Sequence, residues 1–247
     1  MRLGALSPRS LVLLSLTLLA TAPAHAVPLT LQVFANGVQV GSADQTRLGC
    51  VDSSDGLSAH CQVEDLAFRT VNIDDLNINI DPDPVVTGTT GVTNLFSTTQ
   101  QITLLFTLPI APIPGGTLTG GSFRGTVTDN NGDGATIAAP AGSALYTAQI
   151  DGVSGQSLYA APASVSAGNF LSANIASASF GSPIPSLPGP AALVSIGIQL
   201  DFTLTGHDSA SFTSNHVVVE SVPEPQTGAL VAVGLLLVAK RRRGPVR

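Results

Sequence analysis

The fold class is decided by one stretch of the sequence, Val194-Ser195-Ile196-Gly197-Ile198-Gln199-Leu200-Asp201-Phe202-Thr203-Leu204. Its six large apolar residues occupy alternate positions, and Ser, Gly, Gln, Asp and Thr occupy the positions between them. A period of two residues is the period of a β-strand. The stretch therefore predicts a strand with one face buried in a core and the other face in solvent.

Other segments of the chain also have the sequence patterns of strands and turns. Residues 29–34 and 38–40 flank Asn36-Gly37, a dipeptide that favours a tight β-hairpin. Apolar residues alternate again over 102–108. Within 71–80 the alternation changes phase, which predicts a bulge or turn.

Prolines and small residues separate these segments. Asp81-Pro82-Asp83-Pro84 is expected to end a strand, and 182–190, with four prolines, is expected to be a connection. Residues 172–179 are rich in Ala and Ser and fit either a weak strand or a short helix. Because no long segment of the body has a helical period, we predict an all-β fold, an antiparallel β-sandwich that forms a single domain over 27–221.

The N-terminal segment predicts export. Arg2 and Arg9 precede the apolar run 11–20, and Ala24-His25-Ala26 places small residues at the positions that a signal peptidase reads. The run is about half the length that a membrane-spanning helix needs, so a retained anchor is the weaker interpretation. We predict a signal peptide over 1–26, cleaved after Ala26.

Charge is distributed unevenly along the chain. Seven of the ten basic residues but only one of the sixteen acidic residues, Glu224, lie in the two terminal segments. Residues 27–222 therefore hold 3 basic and 15 acidic residues, a formal charge of −12. Because nucleic-acid binding needs clustered Lys and Arg, this balance argues against a nucleic-acid partner and suits a soluble exterior that attracts cations.

The two cysteines, Cys50 and Cys61, are 11 positions apart in the predicted exported body. Two thiols in an oxidising compartment are expected to pair. A closed zinc site needs more ligands than these two residues and the adjacent His60 supply. We therefore predict a Cys50–Cys61 disulfide.

The C-terminal segment, 222–247, has three parts. It begins with Val222-Pro223-Glu224-Pro225, continues with a 12-residue uncharged apolar stretch over 228–239, and closes with Lys240-Arg241-Arg242-Arg243. As a helix the stretch would be about 18 Å long, against about 30 Å of membrane hydrocarbon. It is therefore a marginal anchor with a basic stop on its cytoplasmic side.

This order of motif, apolar stretch and basic cluster resembles the PEP-CTERM sorting signal of Gram-negative bacteria. Pro223, Glu224 and Pro225 match the triplet that names the signal, and Arg241–Arg243 match its terminal cluster. The resemblance implies brief anchoring in the inner membrane by a short hydrophobic helix and processing by an exosortase-type membrane peptidase. It also implies a cell-surface or extracellular destination associated with biofilm and extracellular polysaccharide. It covers only the tail, and a simple tail anchor is the alternative.

One motif in the body has the pattern of a metal-binding loop. Asp129-Asn130-Asn131-Gly132-Asp133-Gly134 fits the first half of an EF-hand calcium loop, with oxygen ligands expected from Asp129, Asn131 and Asp133. Position twelve is Pro140 where an EF-hand has a bidentate Glu, so a complete EF-hand is excluded. A plain polar turn is the competing interpretation.

Catalytic patterns are weak. The consecutive residues His207-Asp208-Ser209 cannot face one another in triad geometry, and the glycine pairs at 115–116 and 120–121 lack the lysine of a phosphate-binding loop. We therefore predict a non-catalytic, exported cell-surface or extracellular-matrix protein with no cofactor apart from the candidate calcium. The alternative is a secreted hydrolase whose site is built from scattered Asp and His.

Overall fold

The computed structural model describes residues 29–54, 58–81 and 84–221. Within these ranges the chain forms β-strands and no helix. The strands are β1 Thr30–Ala35, β2 Val38–Ala43, β3 Cys50–Asp52, β4 Ala59–Phe68, β5 Val71–Asp81, β6 Val85–Asn94, β7 Gln100–Pro109, β8 Thr117–Thr128, β9 Ala135–Ala138, β10 Ala144–Ile150, β11 Val153–Ala160, β12 Ser164–Ala167, β13 Ser172–Phe180, β14 Leu187–Gly189, β15 Ser195–Leu204 and β16 Ser209–Glu220. The described residues contain no helix that is long enough and apolar enough to cross a membrane.

The strands form two antiparallel sheets that pack as a sandwich. Sheet A has the order β11-β10-β15-β7-β1-β2, with β9 pairing β15 and β12 pairing β9. Sheet B has the order β13-β8-β16-β6-β5-β4-β3, with β14 pairing β8. The predicted all-β antiparallel sandwich is confirmed. The predicted signal peptide and C-terminal hydrophobic helix lie outside the described residues.

Aromatic side chains join the two sheets in the core. Phe202 on β15 and Phe212 on β16 lie with ring centroids 5.0 Å apart, and Phe123 on β8 stacks on Phe212 at 5.5 Å. All three side chains are fully buried. Burying one such side chain stabilises the fold by roughly 1.5–3 kcal/mol. This cluster therefore fixes how the sheets face each other.

Strand β15 lies at the centre of sheet A, between β7 and β10. Its apolar residues from Ile196 to Leu204 are buried, as the alternation predicts. The expectation of a solvated second face is wrong, because Ser195 and Asp201 are also buried. The Asp201 carboxylate accepts hydrogen bonds from Gln101 Nε2 at 2.9 Å and Ser143 Oγ at 2.6 Å. Polar neighbours therefore cover this face in place of water.

The local turn and bulge signals are also confirmed. Asn36 and Gly37 have φ of 51° and 76°, which a two-residue hairpin turn requires. The pairing of β5 with β6 shifts register between Ile73 and Asp75, where the apolar alternation changes phase.

The structure decides between the two alternatives for one segment and adds a short strand to another. The ambiguous residues 172–179 are strand, within β13. The expected connection 182–190 contains the three-residue β14, which pairs with Thr117–Thr119 of β8. Pro188 fits there because β14 lies at an edge, where a strand needs hydrogen bonds on one side only.

The described chain begins and ends at the same end of the sandwich. Thr30, beside the first described residue, pairs with Thr107 near the end of β7. The last described residue, Ser221, donates its backbone N–H to the carbonyl of Gly116 at 2.9 Å. Gly116 belongs to the connection from β7 to β8, over 110–116. We call this the terminal end.

Candidate metal site

The metal-like loop, 129–134, connects β8 to β9 at the end of the sandwich opposite the terminal end. The Asp129 carboxylate is 3% exposed, and it organises the loop. Its Oδ1 accepts the backbone N–H groups of Asn131 at 3.2 Å and Gly132 at 3.0 Å. Its Oδ2 accepts the backbone N–H of Phe170 at 2.6 Å, which ties the loop to the β12–β13 connection.

Glycines allow the loop to close on this carboxylate. Gly132 and Gly134 have φ of 88° and 94°, a region that L-residues with a side chain rarely adopt. A Cβ on Gly132 would also lie 2.2 Å from the Phe170 ring. Both glycines therefore serve the backbone geometry, whether or not the loop takes a cation.

The structure brings two of the predicted ligands together with a third carboxylate. Oxygens of Asp129, Asp133 and Asp208 lie within 4.8 Å of one another. Asn131 lies in the same loop, where its Oδ1 accepts the backbone N–H of Asp133 at 3.3 Å and its Nδ2 donates to the Gly206 carbonyl at 3.3 Å. Two of the three residues singled out by spacing are in the cluster.

Asp208 is the member that the sequence pattern did not indicate. It lies in the β15–β16 connection, 79 residues from Asp129 in sequence, and is fully buried. Its Oδ2 accepts a hydrogen bond from the Thr205 hydroxyl, and its Oδ1 accepts the backbone N–H of Asn130 at 3.3 Å. It reaches the loop because Ser209 pairs with Thr128 where β16 meets β8.

The surroundings of Asp129 and Asp208 shift the pKa values of their carboxylates in opposite directions. Burial raises the pKa of Asp208, and the neighbouring charge of Asp129 adds to this. Burial also acts to raise the pKa of Asp129, but backbone N–H donors, Phe170 first, outweigh it and the pKa is lowered. Asp208 is therefore the member of the pair that takes up a proton first as the pH falls.

This arrangement can reduce the repulsion among its carboxylates in two ways. A proton on Asp208 removes one negative charge. Alternatively, a hard divalent cation such as calcium can replace that proton, since carboxylate oxygens are its preferred ligands. Three carboxylates are fewer than the 6–8 oxygen ligands that calcium takes, so amide or backbone oxygens of the loop and water would have to complete the shell. A cation here would be held weakly.

The predicted disulfide is confirmed. Cys50 on β3 and Cys61 on β4 are cross-strand partners, bonded to each other with Cα atoms 3.8 Å apart. Cys61 is fully buried, so the bond fixes the three-residue edge strand β3 to the core.

Two of the described histidine rings face neutral groups. His60 Nδ1 lies 3.0 Å from Asn79 Oδ1 on the outer face of sheet B. His216 is fully buried, with Nε2 3.1 Å from the Thr119 hydroxyl and Nδ1 3.1 Å from the Gly197 carbonyl. Neither ring has a carboxylate partner of the kind that orients the histidine of a catalytic triad.

The outer face of sheet B is built from short polar side chains. Two rows of cross-strand neighbours run over β8, β16, β6, β5 and β4. One row is Arg124, Thr213, Thr89, Asn77 and Gln62, and the next is Ser122, Asn215, Thr87, Asn79 and His60. Hydroxyl and amide groups therefore dominate these two rows, and the adjoining row of the same face carries the exposed carboxylates of Glu64 and Asp75.

Val222–Pro225 and Lys240–Arg243 lie outside the described residues, as does the signal peptide. No protein-family model matches the chain, and no curated protein is significantly similar to it.

Proposed function

We propose that this chain is an exported, non-catalytic protein of the cell surface or extracellular matrix, whose β-sandwich binds extracellular polysaccharide. Its signal peptide directs export and is removed by a signal peptidase. Its C-terminal tail then anchors it briefly in the inner membrane, where an exosortase-type peptidase processes it. The resemblance of residues 222–247 to a PEP-CTERM signal supports the route. The Cys50–Cys61 disulfide fits an oxidising destination.

The outer face of sheet B is the observation that carries the binding part of the proposal. Its rows present Thr and Ser hydroxyls and Asn amides, which both donate and accept hydrogen bonds. These are the groups that match the hydroxyls of a sugar chain. The two rows contain one cation, Arg124, and no carboxylate, so a neutral polymer that follows them leaves Glu64 and Asp75 of the adjoining row in solvent.

Binding to polysaccharide purified from the producing cells tests this proposal. Thr87→Val with Thr89→Val removes two hydroxyls from β6 while keeping side-chain shape and strand preference. The matched control is Thr147→Val on the outer face of sheet A. We expect the β6 double variant to lose co-sedimentation with the polysaccharide and the control to keep it. Equal binding by both variants and the native chain would exclude this face.

A secreted hydrolase is the second candidate, and the Asp129–Asp208 pair favours it. Two neighbouring carboxylates with pKa values moved in opposite directions are typical of acid-base pairs. However, Asp129 is 3% exposed and Asp208 is fully buried, so neither carboxylate can reach a polymer substrate in this conformation. The pair is better suited to closing the loop or holding a cation.

A weak calcium site is part of the proposal. Asp129 and Asp133 supply charge from one loop, and Asp208 supplies it from the β15–β16 connection. A cation at this point would link β8, β9 and β16, so its effect would be on stability. With so few protein ligands, we expect an affinity on the order of 10⁻⁴ to 10⁻³ M, as in extracellular calcium modules.

A further inference from the structure

Three large apolar side chains are exposed close together at the terminal end. Val153, Leu193 and Val194 are 69%, 49% and 64% exposed. Val153 begins β11 and pairs with Ile150, and Val194 directly precedes β15. Because Ile150 pairs with Ile196, these residues lie at adjacent strand ends. We call Val153, Leu193 and Val194 the apolar patch.

The Asp151 carboxylate fixes the backbone of two residues of the patch, Leu193 and Val194. Asp151 Oδ1 accepts the backbone N–H groups of Val194 at 2.7 Å and Ser195 at 2.9 Å, and its Oδ2 accepts that of Leu193 at 2.9 Å. These donors keep the pKa of Asp151 lowered although partial burial acts to raise it. Leu193 and Val194 are therefore presented outward by a fixed backbone.

The patch lies beside the point where the chain continues into the tail. The Thr117 hydroxyl donates to the Pro190 carbonyl at 2.7 Å, which places the approach to Leu193 against the start of β8. Thr117 pairs with Glu220, the last residue of β16. Ser221 follows, and the tail begins at residue 222.

The distance from Ser221 to the apolar stretch of the tail is short. Six residues, 222–227, precede the stretch 228–239. Fully extended, they span at most about 20 Å. If residues 228–239 insert into a membrane, the terminal end must stay within that distance of the lipid surface.

We propose that the apolar patch rests on the lipid surface into which the tail inserts, so that the sandwich stands on the membrane by its terminal end. This inference rests on the proposed function, because it needs the inserted tail. Burial of three apolar side chains is a weak contact by itself. The tether makes the contact intramolecular, which raises its effective concentration. Exposed Glu220 at this end favours a zwitterionic surface over an anionic one.

The orientation has a structural consequence for the bound protein. The loops at the opposite end, with Asp129 and the exposed Phe170, would point away from the membrane. The polysaccharide-binding face of sheet B would stand roughly upright and stay accessible while the tail is still attached.

Tryptophan fluorescence tests the contact directly, because the chain contains no Trp. Val194→Trp places a probe in the patch, and Leu193→Trp is a second probe in case the first fails to fold. Phe170→Trp is the matched control, since Phe170 is equally exposed, at 70%, but lies at the opposite end. Each exported protein, retaining its tail, is purified in detergent and reconstituted into phosphatidylcholine vesicles with brominated acyl chains.

We expect a blue shift and a loss of intensity for Trp at 193 or 194, and neither for Trp at 170. Equal spectra at the two ends of vesicle-bound protein would overturn the inference while leaving the sorting proposal intact. A blue-shifted probe that bromolipids do not quench would indicate a second copy on the patch and also overturn it. Failure of the native chain to float with vesicles would contradict the inserted tail, and with it both proposals.

Discussion

His216 and Thr119 face each other inside the sandwich, with the imidazole Nε2 3.1 Å from the threonine hydroxyl. The opposite nitrogen, Nδ1, lies 3.1 Å from the Gly197 carbonyl, which can only accept a hydrogen bond. Nδ1 therefore carries the proton and Nε2 accepts from Thr119. The neutral ring has a partner on both sides, so a second proton at Nε2 would break the bond with Thr119.

Stability should fall as the pH drops through the range set by this ring. Burial lowers the pKa of His216 from 6.5 to about 4. Between these pH values the unfolded chain binds a proton that the folded chain does not. Lowering the pH therefore stabilises the unfolded state relative to the folded state. The free energy of unfolding should be unaffected by this group above about pH 6.5 and decrease down to about pH 4, by at most roughly 3 kcal/mol. Urea titrations across this range measure the slope.

The control for this prediction is His216→Gln, which keeps a polar side chain and removes the titration. Asp208 contributes the opposite slope from about pH 3.8 upward, because its pKa is raised from 3.8 and the folded state therefore binds the extra proton in that range. The difference between the native chain and the variant isolates the histidine. Parallel pH profiles for both would show that His216 does not carry the effect.

The disulfide should stabilise the edge of sheet B. Cys50→Ser with Cys61→Ser opens an 11-residue loop, which costs at most about 3 kcal/mol on the chain-entropy view. Chemical denaturation measures the loss, and hydrogen exchange should locate it at β3 and the adjoining part of β4. Non-reducing peptide mapping of the native chain should recover Cys50 linked to Cys61. Free thiols in the exported protein would contradict the pairing.

The fold could be predicted because its decisive signals are local. The apolar alternation of β15 can be recognised within a single strand. The Asn36-Gly37 turn likewise requires only two adjacent residues that adopt positive φ. Burial of Asp201 could not be predicted in the same way. It depends on Gln101, Thr103 and Ser143, which come from other segments and reach the carboxylate only after the sheet has formed.

Only part of the candidate site could be predicted from the sequence, for the same reason. The spacing of Asp129 and Asp133 is local and places them in one loop. Asp208 joins them through the long-range pairing of β8 with β16, which no spacing encodes. Asn131 lies in the same loop, and its Oδ1 accepts the backbone N–H of Asp133.

Processing of both ends is the prediction that tests export. In the native host, mass spectrometry of the mature protein should find Val27 at its start and no peptide that contains Lys240–Arg247. Glu224→Ala should block removal of the tail while the sandwich stays folded, because Glu224 lies beyond β16. Most mature molecules retaining an intact tail would indicate a simple tail anchor instead.

Calcium should raise the melting temperature of the exported protein, because a ligand bound only by the folded state stabilises it. The effect should grow with calcium through the millimolar range and should weaken at acidic pH, where Asp208, with its raised pKa, keeps the proton that calcium must displace. Asp133→Asn is the informative variant. Asp133 is exposed and its carboxylate belongs to the cluster, so the change removes a ligand charge without opening the core.

Asp75→Asn, at an exposed position on β5, is the matched control for loss of one surface charge. We expect it to keep the calcium-dependent shift and Asp133→Asn to lose most of it. Asp129→Asn is unsuitable by itself, because that carboxylate accepts backbone N–H groups from Asn131, Gly132 and Phe170 and its loss destabilises the loop with or without calcium. Identical melts with calcium and with a chelator would assign Asp129, Asp133 and Asp208 to a plain polar turn that binds no calcium.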